Sequence, residues 1–132
     1  MTTMAAAADE HTNLAAYEAI SETLSQYIMG AREGNGDRMR RAFMDGASIR
    51  GSYGGQPVDW TLQDFCEAVD RSGAAPDLKA RVVAVELAAS AAMARLEAEN
   101  WGGTRYTDFF VLIRRDNGWR ISSKVFFAHA RA

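Results

Sequence analysis

Two turns in the C-terminal third constrain this chain more than any other feature. Gly102-Gly103 and Asp116-Asn117-Gly118 interrupt a sequence otherwise free of glycine and proline from Leu78 to its end. Paired glycines and Asn-Gly accept the positive φ angles that tight hairpins require. The segments Ala92 to Trp101, Thr104 to Arg115 and Trp119 to His129 are therefore expected as consecutive antiparallel strands. Leu78 to Ala88 is β-branched and alternates in parts, and Ala89-Ser90-Ala91 is a weaker turn leading from it into the same meander. Alanine is the best helix former, so the alanines between 88 and 94 could instead seed a helix. Val82, Val83, Val85 and the glycine turns favour strands.

The N-terminal half has a different period. Leu14, Tyr17, Ile20, Leu24, Tyr27, Ile28 and Ala31 recur every three or four residues, which predicts an amphipathic helix with Thr12 or Asn13 as its N-cap. Gly34-Asn35-Gly36 stops it. Asp37 is the expected cap of a short second helix carrying Met39, Ala42 and Phe43. Ser48 to Tyr53 reads as a strand, Gly54-Gly55 as a hairpin turn, and Gln56 to Trp60 as its return. Pro57 has no N–H to donate, which places that return at a sheet edge. Thr61-Leu62-Gln63-Asp64 resembles a capping box ahead of a third helix with Leu62, Phe65, Cys66 and Val69 inward. The order predicts an α+β domain in which a curved antiparallel sheet wraps around three N-terminal helices. Its open end would hold a cavity. Residues 1–11 read as a flexible tail and 12–132 as a single ligand-pocket domain.

Composition narrows the partners. A chain of 132 residues with 48% hydrophobic and 24% charged residues suits one globular core. The net charge of -2, with no Lys/Arg cluster, gives no reason to expect nucleic acid. No apolar run approaches the roughly 20 residues that a membrane-spanning helix needs, so no membrane partner is expected. Met1 to Glu10 lacks the basic start of a signal peptide. Cys66 is the only cysteine, which excludes an internal disulfide and points to a reducing, cytoplasmic setting. Metal-ligand spacing, phosphate-cradling loops and nucleophile motifs are all missing, so neither metal nor cofactor is expected.

Counting back from the turns places the polar residues of the sheet. If Asn117-Gly118 and Gly102-Gly103 are both two-residue turns, Asp108 faces Phe127 and Glu97, and Tyr106 faces His129 and Glu99. Glu97, Glu99, Tyr106, Asp108 and His129 would then share one face as an acid/base cluster, unless a one-residue bulge scatters them. The favoured reading makes that face the solvated outside of the sheet, its charges paired with Arg95, Arg105 or water. Leu96, Ala94, Phe109, Val111, Ile113 and Phe126 then cover the pocket, and Lys124 lies among them. Lys124 is a candidate for an anionic group of the ligand, or else a structural ion pair with Asp108 in a different register. Tyr17 and Tyr27 lie on the buried stripe of the first helix and can aim a hydroxyl into a cavity. Trp60, Trp101 and Trp119 can stack a flat ring, or else serve as packing caps at strand ends. The candidate catalytic set is Asp108, His129 and Tyr27. The candidate ligand-binding set is Tyr17, Tyr27, Trp60, Phe65, Trp101, Phe109, Lys124 and Phe126.

Several stretches carry a family resemblance: Tyr27-Ile28-Met29-Gly30, Gly36-Asp37 before Met39 and Phe43, and Val58-Asp59-Trp60-Thr61. Asn100-Trp101-Gly102-Gly103, Tyr106-Thr107-Asp108-Phe109, and Trp119-Arg120-Ile121 with Lys124-Val125-Phe126 complete the pattern. From Leu14 to Ala128 the chain resembles the nuclear-transport-factor-2-like superfamily, and within it the SnoaL-like, "Putative lumazine-binding" proteins with a cystatin-like fold. The resemblance implies a cone-shaped α+β barrel, a homodimer formed through the sheet, and a small-molecule ligand. Relatives place His-Pro after the phenylalanine matched by Phe43, where this chain has Met44-Asp45. Catalytic members of the superfamily act as isomerases, dehydratases or cyclases. The leading expectation is a binding protein for a small apolar or aromatic metabolite. A cofactor-independent isomerase, dehydratase or cyclase and a ligand-free assembly module are the alternatives.

Overall fold

In a computed structural model describing residues 13–129, the chain forms three helices and one six-stranded sheet. The first helix, α1 (Asn13–Glu33), buries Ile20, Leu24, Tyr27 and Ala31 at the expected spacing. The Thr23 hydroxyl donates to the Trp119 carbonyl oxygen at 2.9 Å, tying this helix to the last strand. The second, α2 (Gly36–Arg40), is capped by Asn35, whose side chain accepts from the Arg38 N–H. Asp37, the cap expected from sequence, lies within the first helical turn, because the chain already enters the helix at Gly36. The third, α3 (Leu62–Ser72), carries the full capping box between Thr61 and Asp64 and buries Leu62, Phe65, Cys66 and Val69.

The strands are β1 (Phe43–Tyr53), β2 (Gln56–Thr61), β3 (Lys79–Ala88), β4 (Ala91–Trp101), β5 (Thr104–Arg115) and β6 (Gly118–Ala128). The alanine-rich stretch is therefore extended, with Ala89 at a φ of 52 in the turn. Their order in the sheet is β2-β1-β6-β5-β4-β3, which leaves Pro57 on an edge strand. Two features differ from the sequence expectation. β1 and β6 pair in parallel, so the sheet is mixed rather than wholly antiparallel. The sheet is also open, with β2 and β3 as free edges, rather than closed into a barrel. Both differences arise because the chain leaves β2 through α3 and crosses beneath the sheet before starting the meander. The expected tail, residues 1–11, and the alternative cap Thr12 lie outside the described residues.

Gly51 has a specific packing role. A side chain there would run into the Phe126 carbonyl and ring on the neighbouring strand. Its absence lets Phe126 sit flat against β1 and turn toward the interior.

Candidate functional site

The site begins with three buried polar side chains, one each from α1, β5 and β6. Tyr27 is 2% exposed, Asp108 0% and Lys124 2%. The Tyr27 hydroxyl donates to Asp108 Oδ2 at 2.8 Å. Lys124 Nζ lies 4.0 Å from Asp108 Oδ1, and that oxygen receives no hydrogen bond among the described residues. Four aromatic rings enclose the ammonium position, with centroids at 4.2 Å (Phe65), 4.9 Å (Phe126), 5.0 Å (Tyr27) and 5.5 Å (Trp101). Such rings attract a cation through their negative faces.

Burial opposes charge on all three groups. It pushes the Asp108 carboxyl above its ordinary pKa, against the lowering effects of Lys124 and the Tyr27 hydrogen bond. It pulls the Lys124 amine below its ordinary value, partly offset by Asp108. It raises Tyr27, and the neighbouring Asp108 raises it further. Low-dielectric surroundings thus bring the acid and the amine toward their neutral forms.

Beside this cluster lies a cavity of about 780 Å³, lined by Trp60, Phe65, Trp101, Tyr106, Phe126 and Lys124, among others. Among the described residues, Lys124 is the one charged side chain in that lining. Tyr27 and Asp108 stand behind it. Trp101 and Tyr106 meet edge to face at 5.5 Å, and Tyr106 packs 6.1 Å from Phe126, so the walls are mutually braced.

The structure brings Trp60, Phe65, Trp101, Lys124 and Phe126 together around this cavity, holds Tyr27 and Asp108 behind its wall, and leaves the three remaining candidates outside it. Tyr17 is partly exposed on α1 and does not line it. Phe109 points outward, 43% exposed beneath the Arg95 guanidinium, so the expected face bearing Phe109 and Val111 is not the inner one. His129 sits on the outer face, with Nε2 2.9 Å from the Thr107 hydroxyl and Nδ1 3.0 Å from Arg105. Glu97 is there too, accepting from Thr107, Arg95 and Arg105. Burial alone would raise the Glu97 pKa. The Thr107 hydroxyl, Arg95 and Arg105 outweigh it and hold the carboxyl below its usual range.

The expected cluster of Glu97, Glu99, Tyr106, Asp108 and His129 is therefore split, and two bulges split it. The last hairpin turns at Asp116-Asn117, with Arg115 opposite Gly118. Sliding a turn by one residue changes the register by two and leaves the faces as they were. Ser122 then adds a single extra residue, moving Asp108 opposite Phe126 and flipping Asp108 and Lys124 onto one face. On the other side, Gly102-Gly103 turns as expected. The pairing then slips between Trp101 and Ala98, where Asn100 adopts a φ of 63, so Asp108 faces Leu96 rather than Glu97. Tyr106 keeps the face it shares with Asp108 and lines the cavity, as do Tyr53, Val58 and Thr104, which the sequence did not single out because their placement depends on how distant strands meet.

Residues 15–127 match the family described as "Putative lumazine-binding". The chain belongs to this family. It is 32% identical to an NTF2-like protein of unknown function from Methylobacillus flagellatus KT, with a TM-score of 0.83 over 86% of this chain and 92% of that one. A second NTF2-like protein of unknown function, from Shewanella baltica OS155, is 30% identical, with a TM-score of 0.82 over 86% and 94% of the two chains. A protein named Aldolase FrzH, from Cladobotryum sp, is 25% identical over 92% of this chain and 98% of its own length. Structures with a cystatin-like fold are also similar to it.

Among the described residues, no helix is long and apolar enough to cross a membrane, and no group of side chains is arranged to hold a metal ion. Cys66 is free and buried.

Proposed function

We propose that this protein binds a small, largely apolar, aromatic metabolite in the cavity, with an oxygen atom of that ligand against Lys124. One observation carries the reading: a cavity of about 780 Å³ has aromatic walls and a single cation among its lining side chains. Small-molecule sites are typically apolar clefts in which a few polar groups fix orientation. The family's description supports a small-molecule ligand. Native mass spectrometry of the purified protein after incubation with a metabolite extract is expected to show a retained oxygen-bearing aromatic compound. Lys124→Met should weaken its binding by about tenfold, the worth of one hydrogen bond between ligand and amine. Equal retention by Lys124→Met and Trp101→Ala would place the ligand elsewhere.

A second reading, a cofactor-independent enzyme acting beside a carbonyl group, draws support from the Tyr27–Asp108–Lys124 chain of contacts. The name of the Cladobotryum relative, an aldolase, points the same way. Asp108 lies within hydrogen-bond reach of Tyr27 but behind the cavity wall, so Lys124 is the member that would meet a substrate. His129, on the other face, has no part in this arrangement.

The outer face of the sheet suits a second copy of the chain. Phe109 and Val111 on β5 adjoin Val125 and Phe127 on β6, all about half exposed. An apolar patch of neighbouring side chains marks an association surface. Light scattering is expected to give twice the 14.5 kDa chain mass, and Val125→Glu to give the single-chain value. A monomeric wild-type protein would refute this arrangement.

A further inference from the structure

We propose that Lys124 is an amine nucleophile that condenses with an aldehyde or ketone held in the aromatic cavity, forming a protein-bound imine. The inference rests on the cavity being a small-molecule site, and it adds the chemical class of the ligand.

The position of the amine carries it. Lys124 lines the cavity while its side chain is almost entirely withdrawn from solvent. Around it stand Tyr27 from α1, Asp108 and Tyr106 from β5, Phe65 from α3 and Trp101 from β4. Among the described residues, Asp108 is the one carboxylate paired with it. Asp108 Oδ2 is occupied by Tyr27, while Oδ1 faces the amine with no hydrogen bond among the described residues. That oxygen is placed to accept the proton the nitrogen must lose. Burial lowers the amine's pKa, so more of it is free base at neutral pH.

The choice of cation agrees. The chain has thirteen arginines and two lysines, Lys79 and Lys124. Arginine would serve better for holding an oxyanion, since its fork binds two oxygens, but it cannot shed its proton. The cavity nonetheless carries one of the two lysines.

The step balances without a cofactor. The neutral Lys124 nitrogen attacks the carbonyl carbon, and the C–N bond forms as the C–O double bond becomes single. Both amine protons end on the oxygen, which leaves as water. Protonation of the resulting imine gives an iminium that acidifies the adjacent C–H bond. Hydrolysis reverses the sequence and frees the lysine.

Lys79 is exposed and serves as an internal control. Benzaldehyde is the probe, with cyanoborohydride to reduce any iminium to a stable benzylamine, and peptide mapping locates the adduct. The expected result is a benzyl group on Lys124, with Lys79 labelled at least about tenfold more slowly, because the aromatic cavity holds the aldehyde against the Lys124 amine and nothing holds it against Lys79. Benzyl alcohol, which fills the same space without a carbonyl, should slow labelling of Lys124 and not of Lys79. Lys124→Arg should leave labelling of Lys79 unchanged. Labelling of Lys124 no faster than Lys79, with benzyl alcohol still binding by calorimetry, overturns the imine and spares the cavity reading. Absence of both labelling and benzyl alcohol binding overturns both.

Discussion

Asp108→Ala is expected to lower the free energy of unfolding by about 3–5 kcal/mol, the usual cost of removing one partner from a buried ion pair. The substitution leaves Lys124 enclosed by four rings with no carboxylate beside it and removes the acceptor of the Tyr27 hydroxyl. It also opens space against Leu96 and Phe126, the residues paired with Asp108 on either side. Asp108→Asn separates these contributions, because its amide oxygen still accepts from Tyr27 while the charge is gone, and it should lose less. Asp108→Leu combined with Lys124→Met removes both charges and keeps the volume. That double variant should recover most of the loss, since a buried pair replaced by apolar groups is often neutral or better. Urea unfolding of the four proteins measures this. If Asp108→Ala were as stable as wild type, the Tyr27–Asp108–Lys124 cluster would be energetically irrelevant.

Lys124→Met is expected to gain stability relative to wild type as pH falls from about 8 to about 5, by at most about 1.4 kcal/mol per pH unit for each proton involved. The signs follow from the two groups separately. Asp108 already titrates above its ordinary range because of burial, and loss of the neighbouring cation pushes it higher. A carboxyl with a raised folded pKa contributes stability that is complete below its unfolded pKa and disappears as pH rises through the folded one. Lys124 in the wild type behaves oppositely. Its lowered folded pKa imposes a cost that is complete below that value and fades as pH climbs toward the unfolded one. The variant escapes this cost and keeps a neutral, Tyr27-bonded carboxyl at low pH. Denaturant unfolding of both proteins across that pH range tests it. A stability difference independent of pH would mean that Lys124 keeps its unfolded pKa in the wild type and that its removal leaves the Asp108 pKa where it was.

Local signals in the sequence carried most of the architecture. The three-and-four spacing of Ile20, Leu24, Tyr27 and Ala31 specified α1 and its buried face, because a helix must bury such a stripe. Thr61 and Asp64 specified where α3 begins, since a capping box depends only on residues three apart. Gly54-Gly55 and Gly102-Gly103 marked their turns because few other residues take positive φ at both positions. The same stretches carried the family resemblance, which the match over residues 15–127 agrees with. Trp60, Phe65, Trp101, Lys124 and Phe126 were also readable as residues of a common pocket.

The tertiary structure decided which way the strands face. Alternation has a period of two, so one inserted residue inverts everything beyond it. The insertions at Ser122 and beside Asn100 leave little trace in the sequence: Ser122 fits a regular strand, and Asn100, a residue that takes positive φ more readily than most, reads as part of the adjoining Gly102-Gly103 turn. They turn Asp108, Lys124 and Tyr106 inward and send Phe109 and His129 outside. The parallel pairing of β1 with β6 is equally invisible locally, since it joins segments separated by α3 and the whole meander. Sequence thus determined the elements and their ends through contacts a few residues apart. Register and facing were settled only when distant strands met and the buried acid found its amine.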